Sequence, residues 1–253
     1  MMFTKAVVRK PAHTFASGIT EANLGKPAYK LALKQHDAYC EALAKCGLEL
    51  IVLEADPEFP DSCFVEDTAV VTKDFGVIAR PGNKKRLGEE IEIKKVLEPL
   101  LPLYSITEPG TLDGGDVMQA DNQFFIGLSN RTNLTGSRQL KEILDKQNYT
   151  IYVIPVCNIL HFKTGVNYLG ENNILIQESI CTMNELSAFN RIIIEQDELY
   201  AANCLRVNDY VLIPKGFPKT KSNVEKLGYK IIELDMSEFQ KMDGGLSCLS
   251  LRF

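Results

Sequence analysis

Cys248 stands five residues from the end of a 253-residue chain, behind Gly244 and Gly245. An ionised thiol is a strong side-chain nucleophile. His161 is one of only three histidines, with His13 and His36, and histidine is the residue whose charge changes near neutrality. Phe64-Val65-Glu66-Asp67 sets two adjacent acids inside an apolar run, with Asp61 just before them. Strand alternation would bury one of the two, and a buried carboxylate needs a cation. Asp113 opens Asp113-Gly114-Gly115-Asp116, where the glycines let backbone approach a ligand closely. Arg86 and Arg131 lie in polar loops, and a guanidinium fork matches a carboxylate bidentately.

Each of these has an ordinary reading when taken alone. His161 is a hydrogen-bonded core histidine, Cys248 a small buried hydrophobe, the glycine-acid string a turn, and the arginines solvated loop residues. Together they supply a nucleophile, an acid/base, carboxylates for a cation and a clamp for a carboxylate. Metal binding is the competing use of Cys and His. It needs three or four ligands, the histidines are few and no close ligand spacing occurs, so neither metal nor cofactor is expected.

Residues this far apart must be brought together by a repeated element. CFVEDTAVVTKDFGVIARPG turns at Lys73, Asp74, Phe75 and Gly76; DGGDVMQADNQFFIGLS at Asp121 and Asn122; VNYLGENNILIQ at Gly170, Glu171 and Asn172; ANCLRVNDYVLIP at Asn208 and Asp209. Each pairs β-rich runs about residues that tolerate turn geometry. A fifth string, GGLSCLSLRF, has one strand and stops, with Cys248 inside it; its partner is expected to be FTKAVVRKP at the other terminus. Helices are expected over 26–46, 87–97, 137–147 and 219–227, two of them closed by Gly47 and Gly228. Five strand-and-helix units at irregular intervals of 36–53 residues predict a closed array with strand ends facing an axis. Met242-Asp243-Gly244-Gly245 is expected to act as a flexible approach that turns the Cys248 thiol to that axis.

The composition is globular, 45% hydrophobic and 24% charged, and no linker divides the chain, so one domain over 1–253 is expected. A net charge of −5 argues against nucleic acid and acidic membrane as partners. No apolar run approaches a membrane span, and the opening MMFTKAVVRKPAH lacks the apolar stretch of a signal peptide, so none is expected. Seven cysteines without framework spacing read as reduced thiols in a cytoplasm-like compartment.

The motifs Phe-Pro-Asp-Ser-x-Phe-Val-Glu-Asp (59–67), Leu-His-Phe-Lys-Thr-Gly (160–165), Tyr-Ala-Ala-Asn-Cys (200–204) and Asp-Gly-Gly-x-Ser-Cys (243–248) resemble, in order and spacing, the dimethylarginine dimethylaminohydrolase family of the guanidine-modifying amidinotransferase/deiminase superfamily. The resemblance implies an α/β fold, a five-bladed α/β propeller of ββαβ units. It implies Cys248 as nucleophile, His161 as general acid/base and Asp67 as the guanidinium-binding carboxylate. It further implies Asp61 and Glu66 as contacts to the substrate's charged groups, Arg86 and Arg131 as the carboxylate clamp, Ile19 as an aliphatic lid residue and Met242 as a backbone contact. Asp113 stands where some members have Glu and others Asp, as the group that would orient His161. The implied substrate is a free methylated arginine, hydrolysed to citrulline through a thiouronium, with apolar groups near Phe64 selecting the methyl. A homodimer stays open. The rivals are an arginine deiminase releasing ammonia and a catalytically silent arginine-binding ring.

Overall fold

The computed structural model describes residues 2–180 and 183–253. The chain runs through β1 (Lys5–Arg9), α1 (Tyr29–Lys45), β2 (Glu49–Leu53), β3 (Ala69–Val71), β4 (Gly76–Ile78), α2 (Glu89–Leu97), β5 (Leu103–Ser105), β6 (Val117–Ala120), β7 (Gln123–Leu128), α3 (Leu134–Asp145) and β8 (Thr150–Pro155). It continues through α4 (Phe162–Gly165), β9 (Val166–Gly170), β10 (Asn173–Gln177), β11 (Asn190–Ile194), β12 (Leu205–Val207), β13 (Tyr210–Pro214), α5 (Pro218–Glu225), β14 (Lys230–Leu234), α6 (Ser237–Gln240) and β15 (Leu251–Arg252). These make five three-stranded sheets, β3-β4-β5, β6-β7-β8, β9-β10-β11, β12-β13-β14 and β15-β1-β2.

In each sheet the first pair is antiparallel and the second parallel. The reason lies in the connections. A tight turn can join only antiparallel strands, whereas a parallel partner needs a crossover. Three of the four expected turns carry the positive φ typical of tight hairpins, 52° at Asp121, 51° and 62° at Glu171 and Asn172, and 54° at Asn208, whereas none of Lys73 to Gly76 does. The crossover is an α-helix in four units. In the third, the described residues between β10 and β11 hold only a 3₁₀ turn, Asn184–Leu186, so that unit departs from the expected ββαβ pattern.

Helix starts shift from their expected places for local reasons. Lys26 precedes a proline, which disfavours helical backbone, and α1 begins at Tyr29. Gly88 adopts φ 114° and α2 begins after it. The Asn133 side chain accepts the Gly136 N–H at 2.7 Å and starts α3 at Leu134. The two termini pair as expected: Val7 faces Leu251 and Ala6 faces Arg252.

The core is divided, and the division reveals the architecture. Phe124 and Ile126 of β7 pack toward Val70 and Val77, while Phe125, between them, packs toward Ile174 and Ile176 of β10. Leu175 of β10 faces Val211 and Ile213 of β13, and Leu212 faces Ala6 and Tyr39. Val7 then joins Ala69 and Ile78. Each middle strand thus buries its alternate residues against two different neighbours, and the five clusters follow one another in a closed cycle. Inside that cycle Val70, Met118, Tyr168, Leu205 and Leu251, one from the first strand of each sheet, line a cavity of about 160 Å³.

Candidate active site

Just before each of these inner strands the chain makes a short helical segment: Val65–Thr68, Gly114–Asp116, α4, Gln196–Ala202 and Ser247–Leu249. Asp67 lies in the first, Asp113 is the N-cap of the second and His161 of α4, Asn203 follows the fourth as C-cap, and Cys248 lies in the fifth. The acids at 66–67 and Cys248 were expected within strands. They sit in these turns, just beyond the strand ends, whereas the polar residues of the inner strands, such as Gln119, Asn167 and Arg206, face the larger cavity.

A second, smaller cavity of about 30 Å³ opens at this end. Nine of the eleven expected site residues line it: Ile19, Asp61, Phe64, Asp67, Arg86, Arg131, His161, Met242 and Cys248. Asp113 stands behind His161, its Oδ2 3.0 Å from Nε2, and its Oδ1 accepts the Gly82 N–H at 2.8 Å. Glu66 is turned the other way. It lines the axial cavity, where it accepts from Ser247 Oγ at 2.8 Å and pairs with Lys163 Nζ at 2.7 Å.

Asp67 is held at both oxygens. Oδ1 accepts the Gly115 N–H at 2.9 Å and lies 3.9 Å from His161 Nε2; Oδ2 accepts from Arg86 Nη1 at 2.6 Å. Arg86 donates its other groups to Glu89 and to the Asp61 and Phe64 carbonyls. Its donors are therefore occupied, which sets it apart from the free clamp residue expected. Arg131 makes no ion pair among the described residues. Both Asp61 oxygens receive the Ile19 N–H at 3.1 Å, tying the 18–25 loop to the site. That loop is latched again by Asp243 Oδ2, which accepts from Thr20 Oγ1 and the Glu21 and Ala22 N–H groups.

Burial, and after it the nearby Glu66 and Asp67 charges, push the Cys248 thiol up to about 12. Burial works against charge on His161, yet Asp67, Asp113 and Asp116 outweigh it and lift the ring to about 9. Asp67 feels the same burial, and the His161 and Arg86 charges hold it at about 2. Near neutral pH these three groups are therefore thiol, imidazolium and carboxylate.

The paired glycines provide room. Neither Gly244 nor Gly245 has a positive φ. A Cβ on Gly244 would fall 2.1 Å from Phe64 Cε1, and one on Gly245 2.4 Å from Asn203 Cγ. The expected flexible approach is a tight fit. Gly115 does the same for the pair it separates, since a Cβ there would meet Asp67 Oδ1 at 2.7 Å and His161 Nδ1 at 2.8 Å.

Leu160, Asp243 and Gly244 also line the cavity, and Glu89 lies beneath Arg86; none was singled out for these roles from the sequence. Leu160 and Asp243 were visible only as neighbours of His161 and Gly244, and Glu89 only as the residue three beyond Arg86. The absence of close ligand spacing in the sequence also misses one grouping. Asp67, Asp113 and His161 bring ligand atoms within 4.8 Å of one another. All three atoms are engaged by the protein contacts just described, so a cation would have to displace them.

Fold and site describe an α/β protein that gathers a thiol, an imidazole and carboxylates at one cavity, and comparison with known proteins supplies the class, an amidine hydrolase. A family model for eukaryotic N,N dimethylarginine dimethylhydrolase matches residues 21–249. The dimethylarginine dimethylaminohydrolase of Pseudomonas aeruginosa is 42% identical over 254 residues, covering 100% of both chains. Its cysteine-to-serine variant in complex with citrulline superposes with a TM-score of 0.98 over 100% of both chains at 42% identity. A histidine-to-glycine dimethylarginine dimethylaminohydrolase, as an adduct with S-methyl-L-thiocitrulline, gives the same TM-score, coverage and identity. The chain belongs to the dimethylarginine dimethylaminohydrolase family. No helix among the described residues is long and apolar enough to cross a membrane.

Proposed function

We propose that this chain hydrolyses Nω-methylated L-arginine to L-citrulline and methylamine or dimethylamine through a covalent thiouronium on Cys248. The observation that carries this is the meeting of Cys248, Asp67 and an Asp113-bound His161 at one small cavity. Family membership narrows the chemistry to the guanidinium carbon. Asp67 fixes the plane of the cation and presents its carbon to sulfur. Arrival of that positive charge beside a thiol that burial and two carboxylates keep protonated favours the thiolate, whose proton is released to solvent. The S–C bond forms, and the C–N bond breaks as imidazolium His161 protonates the leaving amine. Neutral His161 then takes a proton from water, whose oxygen attacks the same carbon and expels the thiolate. These steps need neither metal nor cofactor.

Arg131 holds the substrate carboxylate, and Asp61 faces its charged amino-acid end. Arg86 acts through Asp67 by fixing its orientation. Ile19, Phe64, Leu160 and Met242 supply the apolar wall for the methyl groups. We read the five sheets as the blades of one α/β propeller of ββαβ type, a single domain over 1–253. The closed cycle of core clusters and the pairing of the termini support this. The six cysteines among the described residues are free thiols, in keeping with a reducing, cytoplasmic setting; Cys181 lies outside those residues.

Comparison of kcat/KM for mono- and dimethylarginine, arginine, agmatine and an arginyl peptide, with intact-protein mass spectrometry, tests the proposal. Expected are a Cys248 adduct, preference for the methylated free amino acids, and at least ~10-fold rejection of agmatine, which leaves Arg131 without a partner. Preference for arginine would make the enzyme a deiminase.

A further inference from the structure

Four of the five segments before the inner strands carry a residue already placed in the reaction: Asp67, Asp113, His161 and Cys248. The fifth ends in Asn203, buried at the same level of the fold. Its Nδ2 lies 3.6 Å from Cys248 Sγ, the one side-chain donor to that sulfur among the described residues, beside the Gly245 backbone N–H. The amide orientation is fixed independently, because Oδ1 accepts the Ser247 N–H at 2.9 Å; a flipped amide would set two N–H groups face to face. Tyr200, from the same segment, donates its hydroxyl to the Gly244 carbonyl at 2.8 Å. Gly245 is also explained by this contact, since a Cβ there would occupy the Asn203 side chain.

We propose that Asn203 is a further catalytic residue, which holds the Cys248 turn through Oδ1 and stabilises the thiolate, both as it attacks and as it leaves, through Nδ2. A carboxamide suits this task. It supplies a donor without a counter-charge, so it favours the anion without competing with Asp67 for the substrate cation. The other groups bearing on the sulfur are Glu66, Asp67 and Tyr200, which disfavour its charge, and the Gly245 backbone N–H and Lys163, which favour it; His161 shares the cavity. The inference rests on Cys248 being the nucleophile of the proposed function.

Asn203→Asp is the informative variant. It keeps the acceptor for the Ser247 N–H and replaces the donor by a negative charge. Expected are a loss of about 10- to 100-fold in kcat/KM, within the range for a hydrogen bond to a charged group. Alkylation of Cys248 by iodoacetamide should be about 10-fold slower across pH 7–10, with thermal unfolding close to wild type. Gly245→Ala, which displaces Asn203 without changing any charge, should move both readouts in the same direction. Alkylation needs no substrate. Slowed alkylation in both variants of a wild-type enzyme that fails to turn over methylarginine would refute the proposed substrate and leave the role of Asn203 standing. Wild-type alkylation profiles and kcat/KM within twofold in both variants overturn it.

Discussion

Glu66 and Asp67 are neighbours in sequence and line two different cavities. Asp67 lies in the small cavity among His161, Arg86 and Cys248, whereas Glu66 lies in the larger one with Lys163 and Arg252. The two regions are built differently. The larger cavity is walled by the inner strands, whose side chains alternate and whose positions repeat from sheet to sheet. The smaller is walled by the segments before those strands and by the 18–25 loop. Strands line the larger cavity, and the segments just before them bring Asp67, His161 and Cys248 to the smaller one. Cys248, His161 and Asp67 line the smaller cavity and not the larger one. The small one concentrates a thiol, an imidazolium and paired carboxylates, and functional sites gather such perturbed groups.

The largest effect is expected at the sulfur. Cys248→Ser should lower turnover by ~1000-fold or more while leaving thermal unfolding intact, because a hydroxyl there cannot match thiolate nucleophilicity. Steady-state assay of the purified variant checks this, and retention of a few per cent of wild-type rate would remove the covalent route. Next comes His161→Ala, which deprives both the leaving amine and the water of their proton partner. Mass spectrometry after mixing with substrate should show either a trapped adduct or no reaction, and normal turnover would reduce His161 to a structural role.

Asp113→Asn tests the residue behind the cavity wall. A fall of about 100-fold in kcat with KM little changed is expected, since the carboxylate acts on His161 and not on substrate. A rise in KM alone would place Asp113 against the ligand instead. The Glu66 and Asp67 pair sharpens the contrast between the two cavities. Asp67→Asn should cost about 100-fold in kcat/KM, and Glu66→Gln less than about 10-fold. Removing the Glu66 charge should speed Cys248 alkylation near neutral pH, because that charge is the largest electrostatic influence opposing the thiolate. Equal losses of kcat/KM in the two variants would mean that both carboxylates serve the substrate.

The smallest effect is a pH dependence of stability. His161 titrates near 6.5 when unperturbed and is raised to about 9 in the fold. The stability it draws from Asp67 and Asp113 is therefore fully present below about pH 6.5, declines as pH rises and is lost above about 9. The Tm difference between wild type and His161→Gln should shrink across that window. A difference independent of pH from 6 to 10 would show that the ring is not charged in the folded state.

Much of this was written locally. The hairpin turns at Asp121, Glu171 and Asn208 were legible because positive φ restricts which residues can occupy them. The pairing of the two termini was legible because GGLSCLSLRF lacked a partner strand. Family resemblance supplied the roles, and nine of the expected residues do share a cavity. Missing were the facts that depend on direction and distance. Nothing in Phe64-Val65-Glu66-Asp67 says which acid turns to which cavity, because a 3₁₀ turn separates neighbours differently from the strand expected there. Nor could composition tell that Arg86 is consumed by Asp67 and Glu89 while Arg131 is not.

The glycines before Cys248 illustrate both halves. Their presence is a property of the sequence, but they act as space for Phe64 and Asn203, residues about 180 and 40 positions away. Asn203 was in view within Tyr-Ala-Ala-Asn-Cys and carried no signal of its own, since an asparagine before a strand is an ordinary turn residue. Backbone propensity and alternation act over a few residues, so the sequence by itself determined the repeat, its turns and the identity of the reactive groups. Which groups meet within 4 Å depends on how the five sheets pack against one another through their core clusters, and only the tertiary structure decided that.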